Sequence, residues 1–416
     1  MEVVMDHLRF VIVGHVDHGK STLIGRLLYD TESLPKDKLD EIRSACKEMG
    51  EEVEFAYVVD HLEEERRGHL TIDTAQVFFR TPRRDYVIID APGHREFLKN
   101  MITGAAQAEA AVLIVDAAEG IREQTQRHAF IVGLLGLKQL IVAVNKLDLV
   151  NFSEEKFNKL SAEMQAFLKQ ISLFPSHIIP IAANKGDNIS KRSEKMPWYK
   201  GPTLLEALDS FKNLPSSADK PMRFPVQDIY AIDGEKVVVG RLESGRIREG
   251  DEVVFLPSGT KSRVRALKIF LAEGKKDAEA GESIGLVFDP EVAAHRGEVV
   301  CPKAKLPPVT TRVKASIFSM SRVPLQVGEE LIFRCATQEV PARVGKIEER
   351  INSSTLEVLE KKASRLEETE VGEAVIATAR PVVAESFYDT KELGRFVLSR
   401  GDNTVAGGIV LADKSI

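Results

Sequence analysis

The run Leu8-Arg9-Phe10-Val11-Ile12-Val13 leads directly into Gly14-His15-Val16-Asp17-His18-Gly19-Lys20-Ser21-Thr22, and the helix-forming stretch Leu23-Ile24-Gly25-Arg26-Leu27-Leu28-Tyr29-Asp30 follows. A strand, a loop bounded by glycines, Lys-Ser and a helix, in that order, make a phosphate cradle. The glycines let successive amide N–H groups turn toward one anionic centre, and the helix adds the positive end of its dipole. A glycine-containing turn that fits the pattern by chance is the competing reading; the strand before it and the helix after it argue against that. The backbone of Gly14, His15, Val16, Asp17, His18 and Gly19 is expected to line a nucleotide. Lys20 supplies a point charge to its β and γ phosphates, Ser21 a hydroxyl to Mg²⁺, and Thr22 closes the set where the helix begins.

Two further apolar strands end in polar motifs. Tyr86-Val87-Ile88-Ile89 runs into Asp90-Ala91-Pro92-Gly93-His94, where the Asp90 carboxylate can hold the metal through water and the Gly93 amide can sense a γ-phosphate. Leu140-Ile141-Val142-Ala143-Val144 runs into Asn145-Lys146-Leu147-Asp148. The Asp148 carboxylate can accept from both the N1–H and the 2-amino group of guanine, a donor pair that adenine lacks, so the base is guanine. Alone, that tetrapeptide is an ordinary polar loop after a strand; in series with the other motifs it reads as a base contact. Between the first two motifs, Thr71 is the candidate second protein ligand of Mg²⁺; its other reading is a β-branched residue opening the strand 71–77. His94 is the candidate for positioning the attacking water, giving a GTPase with GTP/GDP and Mg²⁺ as its ligands.

The set resembles the translational, elongation-factor-like class of GTPases, in which GHVDHGK, a Thr-Ile switch and D-x-P-G-H occur together. Within that class, residues 124–157, 186–208 and 221–229 look like the GTPase subunit of the heterodimeric bacterial sulfate adenylyltransferase. The archaeal and eukaryotic factors that deliver aminoacyl-tRNA share CKEMG, DAPGHR and NMITG with this chain. The direct run from Asp116 to Thr125 and the short Trp198–Leu205 link favour the sulfate-activating relative, whereas Leu393–Leu398 resembles the delivery and release factors. The weighted expectation is a GTP-hydrolysing regulatory subunit whose separate catalytic partner makes adenosine 5′-phosphosulfate from ATP and sulfate; the alternative is a factor delivering aminoacyl-tRNA to the ribosome. No second GxxxxGK[ST] occurs, which excludes a fused kinase of that type.

The resemblance also exposes departures. His69 stands where the family has a glycine, and Ala182-Ala183 replaces its Ser-Ala base motif, so the Ala183 amide is expected to meet guanine O6 without a supporting hydroxyl. Val16 and Leu70 match the apolar pair proposed in the family to screen the catalytic His, or are ordinary loop packing.

From about residue 6 to 213, apolar strands alternate with helix candidates at 123–135, 154–170 and 202–211, the pattern of a mostly parallel sheet covered by helices. Short alternating strands dominate after the polar, proline-bounded linker 213–221, with a break at Lys305-Leu306-Pro307-Pro308. The expected architecture is an α/β P-loop GTPase domain at 1–214, followed by two antiparallel β-barrel domains at 221–305 and 308–416. At 416 residues and 43% hydrophobic, the chain is long enough for several cores. Cys46, Cys301 and Cys335 are too few and too scattered for a disulfide framework or a zinc site. Residues 357–370 read as a solvated, charge-rich loop or short helix. No signal peptide or bilayer-length apolar stretch is evident, so a cytoplasmic location is expected. A net charge of −6, and 15 basic against 16 acidic residues over 307–416, tilt toward a protein partner rather than tRNA.

Overall fold

The computed structural model describes residues 7–34, 55, 76–90, 108–212, 217–232, 234–269 and 274–412. The chain forms two compact units, Met1–Asn213 and Leu214–Ile416.

In the first unit the described elements are β1 (His7–Gly14), α1 (Lys20–Asp30), β2 (Gln76–Arg80), β3 (Asp85–Asp90), β4 (Ala110–Asp116), α2 (Glu123–Leu134), β5 (Gln139–Asn145), α3 (Glu154–Gln170), β6 (His177–Pro180) and α4 (Leu204–Asp209). The six strands lie in the order β2-β3-β1-β4-β5-β6. Only β2 runs antiparallel to its neighbour. β4 is buried along its whole length and β1 nearly so, because helices on both faces of a parallel sheet leave no face for solvent. The chain leaves β1 toward one side of the sheet to make β3 and returns on the other side as β4. The crevice at the carboxyl ends of β1 and β4 is therefore a topological switch point, where open α/β sheets bind ligands.

Helix starts follow capping chemistry. Ser153 accepts from the Lys156 amide at the head of α3, whose buried Phe157, Leu160, Met164, Phe167 and Leu168 recur at helical spacing. The last helix begins later than the expected Pro202: Thr203 and Glu206 form a reciprocal capping box, so Leu204 is its first residue.

The second unit holds two barrels. In the first, β7 (Phe224–Ile232), β8 (Glu235–Arg241), β10 (Glu252–Leu256), β11 (Lys261–Lys268), β13 (Ser283–Asp289) and β14 (Val299–Pro302) close in the order β10-β11-β13-β8-β7-β14, while β9 (Arg246–Arg248) and β12 (Asp277–Glu279) form a separate ribbon. In the second, β15 (Val309–Ser319), β17 (Glu330–Cys335), β18 (Gln338–Asn352), β21 (Glu370–Val383), β22 (Arg395–Arg400) and β23 (Asn403–Val410) close because β17 pairs with both β22 and β18. β16 (Leu325–Gln326) pairs with β20 (Arg365–Leu366), β19 (Val358–Lys361) extends the sheet beyond β18, and a single helical turn, α5 (Lys391–Gly394), precedes β22. Segment 357–370 is thus not the loop or short helix expected from its charge. It contributes β19 and β20 and opens β21, and β19 is exposed at all four positions because it lies outside the closed barrel.

The barrels share a seam. Val254, Leu256, Val299 and Cys301 of the first pack with Val383 and Leu393 of the second. Beside this apolar cluster Arg223 and Glu385 form a bidentate pair, Nη2 to Oε1 at 2.7 Å and Nε to Oε2 at 2.9 Å, and Arg223 Nη1 donates to the carbonyls of Met222 and Lys305. Burial raises the Cys301 thiol to about 11 and the Cys335 thiol to about 12, as suits inert packed cysteines. Cys46 lies outside the described residues.

Removing one member of a buried ion pair strands the other charge. Glu385→Ala is expected to lower the stability of the barrel unit by about 3–5 kcal/mol, read from denaturant unfolding followed by far-UV circular dichroism. A change of a few tenths would show that the pair does not hold the seam.

Candidate functional site

The site assembles where β1, β3, β4 and β5 end. After Gly14 the chain turns through Asp17, whose φ is +64°, and Gly19, whose φ is +94°, before α1 begins at Lys20. Glycine is required at position 19 for a second reason: a Cβ there would stand 2.4 Å from Asn145 Nδ2. At Gly14 a Cβ would stand 2.5 Å from the Ile114 carbonyl oxygen of β4. The loop is therefore pressed against β4 and β5, with no space for side chains on that side.

Lys20 Nζ donates across the loop to the carbonyls of Gly14 at 3.1 Å and His15 at 3.0 Å. Burial lowers the pKa of its ammonium, against the opposing pull of Asp90 and Asp17. Asp90, at the end of β3, is thus within electrostatic reach of the loop. Ser21 and Thr22 are half-buried in the first turn of α1. A hydroxyl at Ser21 and a carboxylate at Asp90 are hard oxygen donors of the kind Mg²⁺ takes, and they suit that ion when nucleotide phosphates supply further oxygens. Thr71, Gly93 and His94, as well as His69 and Leu70, lie outside the described residues.

Asn145 joins the loop after β1 to the turn at Ala182–Gly186. Its Nδ2 donates to the His18 carbonyl at 2.9 Å, and its Oδ1 accepts from the Ala183 amide at 2.9 Å. The Ala183 amide expected to face guanine O6 is accordingly engaged by Asn145. Beyond it the loop closes on itself, with the Gly186 amide donating to the Ala182 carbonyl at 2.9 Å. Lys146 adopts a left-handed φ of +59° and pairs through Nζ with Asp116 Oδ2 at 2.9 Å. Asp148 follows on the 3₁₀ turn Leu147–Val150, half-buried beside that loop.

Three side chains of this site went unassigned in the sequence reading or were given only a generic backbone role. Asp116, at the end of β4, accepts from the Ala118 and Glu119 amides as well as from Lys146. Burial alone would raise its pKa; the Lys146 ammonium and the two amides overcome that and hold it below the ordinary carboxylate value. His128, on α2, accepts the Gly14 N–H on Nδ1 at 3.2 Å, and burial, reinforced by Lys20 and Arg127, lowers it to about 3. His18 Nδ1 accepts the Asp116 amide at 3.3 Å, and its pKa too is lowered, chiefly by burial. Both imidazoles are neutral acceptors for main-chain N–H groups. A strand-terminal Asp was a usable signal for Asp116; His128, 114 residues from its partner, had none.

The unfolded His128 imidazole titrates near 6.5 and the folded one near 3, so the unfolded chain takes up this proton first. The stability that depends on its neutrality is complete above pH 6.5 and declines as pH falls toward 3, by on the order of a few kcal/mol. His18 adds a loss of the same sign. His128→Gln keeps an acceptor for Gly14 and removes the proton uptake, so its denaturation midpoint is expected to fall less between pH 7 and 4.5 than that of the native chain. Fluorescence of Trp198, the single tryptophan, follows the transition of this unit. An equal fall in both proteins would exclude His128 as the source.

Comparison with known families places this geometry. Residues 5–213 match the elongation factor Tu GTP binding domain, residues 235–301 elongation factor Tu domain 2, and residues 312–411 the GTP-eEF1A C-terminal domain-like family. Elongation factor 1-alpha of Pyrococcus furiosus is 39% identical over 425 residues, covering 98% of this chain and 97% of the relative. That of Thermococcus gammatolerans is 38% identical over 423 residues, with the same coverage. Among solved structures, sup35 complexed with GDP is 25% identical, covers 99% of this chain and 96% of its own, and has a TM-score of 0.45.

These findings overturn the assignment to a sulfate adenylyltransferase, and with it the adenylyl-transferring partner. Nearly the whole chain aligns with proteins named elongation factor 1-alpha. The features that favoured the other branch were the lengths of connectors, after β4 and before α4, which vary without altering the core they join. The near-neutral charge of 307–416 gave no support for that partner either, since a total says nothing of how charge is distributed. Cradle, base-side loop and matched barrels together make this chain a member of the translational GTPase family of elongation factor Tu and elongation factor 1-alpha, with a GTP-binding domain followed by two antiparallel β-barrels.

Proposed function

We propose that this GTPase is a translation factor of the elongation type, which carries aminoacyl-tRNA to the ribosome in its GTP form and departs after hydrolysis. The observation that carries the reading is the pair of Asn145 hydrogen bonds, which lock a phosphate loop to a base-side loop in a chain similar end to end to elongation factor 1-alpha. Residues 1–214 act as the switch, and the barrel domains 221–305 and 308–416 act as the body that meets the cargo.

Within the switch, the backbone from His15 to Gly19 holds the α and β phosphates, while Gly14, whose amide is taken by His128 rather than facing phosphate as expected, anchors the start of the loop; Lys20 moves from its carbonyl partners onto the β and γ oxygens. Ser21, Asp90 and Thr71 would hold Mg²⁺, which would supply neutralisation of phosphate charge. Thr22 completes the amide row. Asn145 and Lys146 flank the base, Asp148 reads its N1–H and 2-amino group, and the Ala182–Ala183 turn bounds its O6 side. His94 orients the attacking water, and the Gly93 amide senses the γ-phosphate. Such a switch does work only through unequal affinity of its two nucleotide states for a partner.

Programmed ribosomes with aminoacyl-tRNA are expected to accelerate single-turnover GTP hydrolysis by orders of magnitude over the chain alone; a rate indifferent to both refutes delivery. Asp148→Asn exchanges an acceptor for a donor facing N1. GTP affinity is expected to fall by at least about tenfold, as for loss of a hydrogen bond to a charged group, and xanthosine triphosphate to become the preferred ligand. Unaltered GTP affinity in that variant would remove Asp148 from base recognition.

A further inference from the structure

The turn at Ala182–Gly186 carries no hydroxyl at Ala182 or Ala183, yet it is held from behind by α1. Asp30, the last residue of α1, accepts Arg26 Nε at 2.7 Å on one carboxylate oxygen and the Ser190 hydroxyl at 2.5 Å on the other. The Asp30 side chain is 6% exposed. Arg26 in turn lies against Gly186: a Cβ there would stand 2.1 Å from Nη2, and the φ of Gly186 is +79°. The Tyr29 and Phe55 rings cover the guanidinium, with centroids 5.6 and 5.2 Å from Cζ. From Ser190 the connection returns through neighbouring main chain, the Ile189 amide donating to the Gly186 carbonyl at 3.4 Å and the Gly186 amide to Ala182.

We propose that Arg26, Asp30 and Ser190 are positioning residues for guanine recognition. α1 is a strut of eleven residues, about 16 Å long. Its first turn carries Lys20 and Ser21, and its last residue holds the base-side loop. The separation between phosphate cradle and base loop is then set by the length of a rigid helix rather than by the loop's own side chains. Asn145 fixes the near edge of the loop and Asp30 the far edge. Loss of the far contact leaves the phosphate half of the site intact and frees the base half to drift. The proposal rests on residues 14–22 and 145–148 forming the guanine-nucleotide site.

The test compares Ser190→Ala and Ser190→Thr with the native full-length chain, measuring GDP and ADP affinities by competition against a fluorescent GDP. GDP probes both halves of the site and ADP chiefly the phosphate half. Ser190→Ala is expected to weaken GDP about three- to tenfold, the range of one lost hydrogen bond, while ADP changes less than about twofold; Ser190→Thr, which keeps the hydroxyl, restores the GDP value. Unchanged GDP affinity, equal weakening of GDP and ADP, or failure of threonine to rescue overturns the proposal. A native chain without preference for GDP over ADP overturns the underlying site assignment instead, so the two failures are told apart.

Discussion

One carboxamide sets the geometry of the candidate nucleotide site. Asn145 has a donor and an acceptor at fixed separation, and both are used on main-chain groups of different loops, His18 on one side and Ala183 on the other. Its side chain is buried, where a main-chain polar group left unpaired is costly. Position 19 must be glycine because the same carboxamide fills the space of a side chain there. Lys146, the next residue, is turned into a left-handed conformation that delivers its ammonium to Asp116, and Asp116 gathers the amides of the following turn. Three segments distant in sequence thereby become one rigid surface at the ends of β1, β4 and β5.

That surface is kept nearly free of competing charge. Two imidazoles lie beneath it, and burial keeps both neutral. A protonated His128 would place a second cation close to Lys20 in a poorly solvated region, and the depressed pKa expresses the cost of doing so. A neutral ring instead meets the Gly14 N–H as an acceptor and anchors the start of the loop to α2.

How much of this could be read from the sequence depended on whether the information was local. The strands before Gly14, Asp90 and Asn145 were legible because each is a continuous apolar run ending in a polar motif, and burial on both faces dictates such runs. The strands of the first barrel were legible from their alternation, as in Glu235–Arg241. The helix at 204 shifted by two residues because a capping box outweighs the weak start signal of Pro202. The charge-rich segment 357–370 concealed two short strands, since an exposed strand outside a barrel carries no apolar pattern. Contacts spanning the unit, such as Gly14 to His128 or Asp30 to Ser190, leave no periodic trace at either end.

The branch within the family was harder to read than the family itself, for a physical reason. Motifs that contact phosphate, metal and guanine answer to the same ligand in every member, so they announce the ligand and are silent about the partner. The cues weighed for the partner came from surface connectors and summed charge, which packing constrains least. The segment that pointed correctly, Leu393–Leu398, belongs to the barrel: Leu393 lies in the seam cluster, and β22 pairs with β17 and β23. A segment fixed on several sides by core contacts cannot drift freely in sequence. Its resemblance is therefore tied to the packing of the whole barrel, as the length of a surface loop is not.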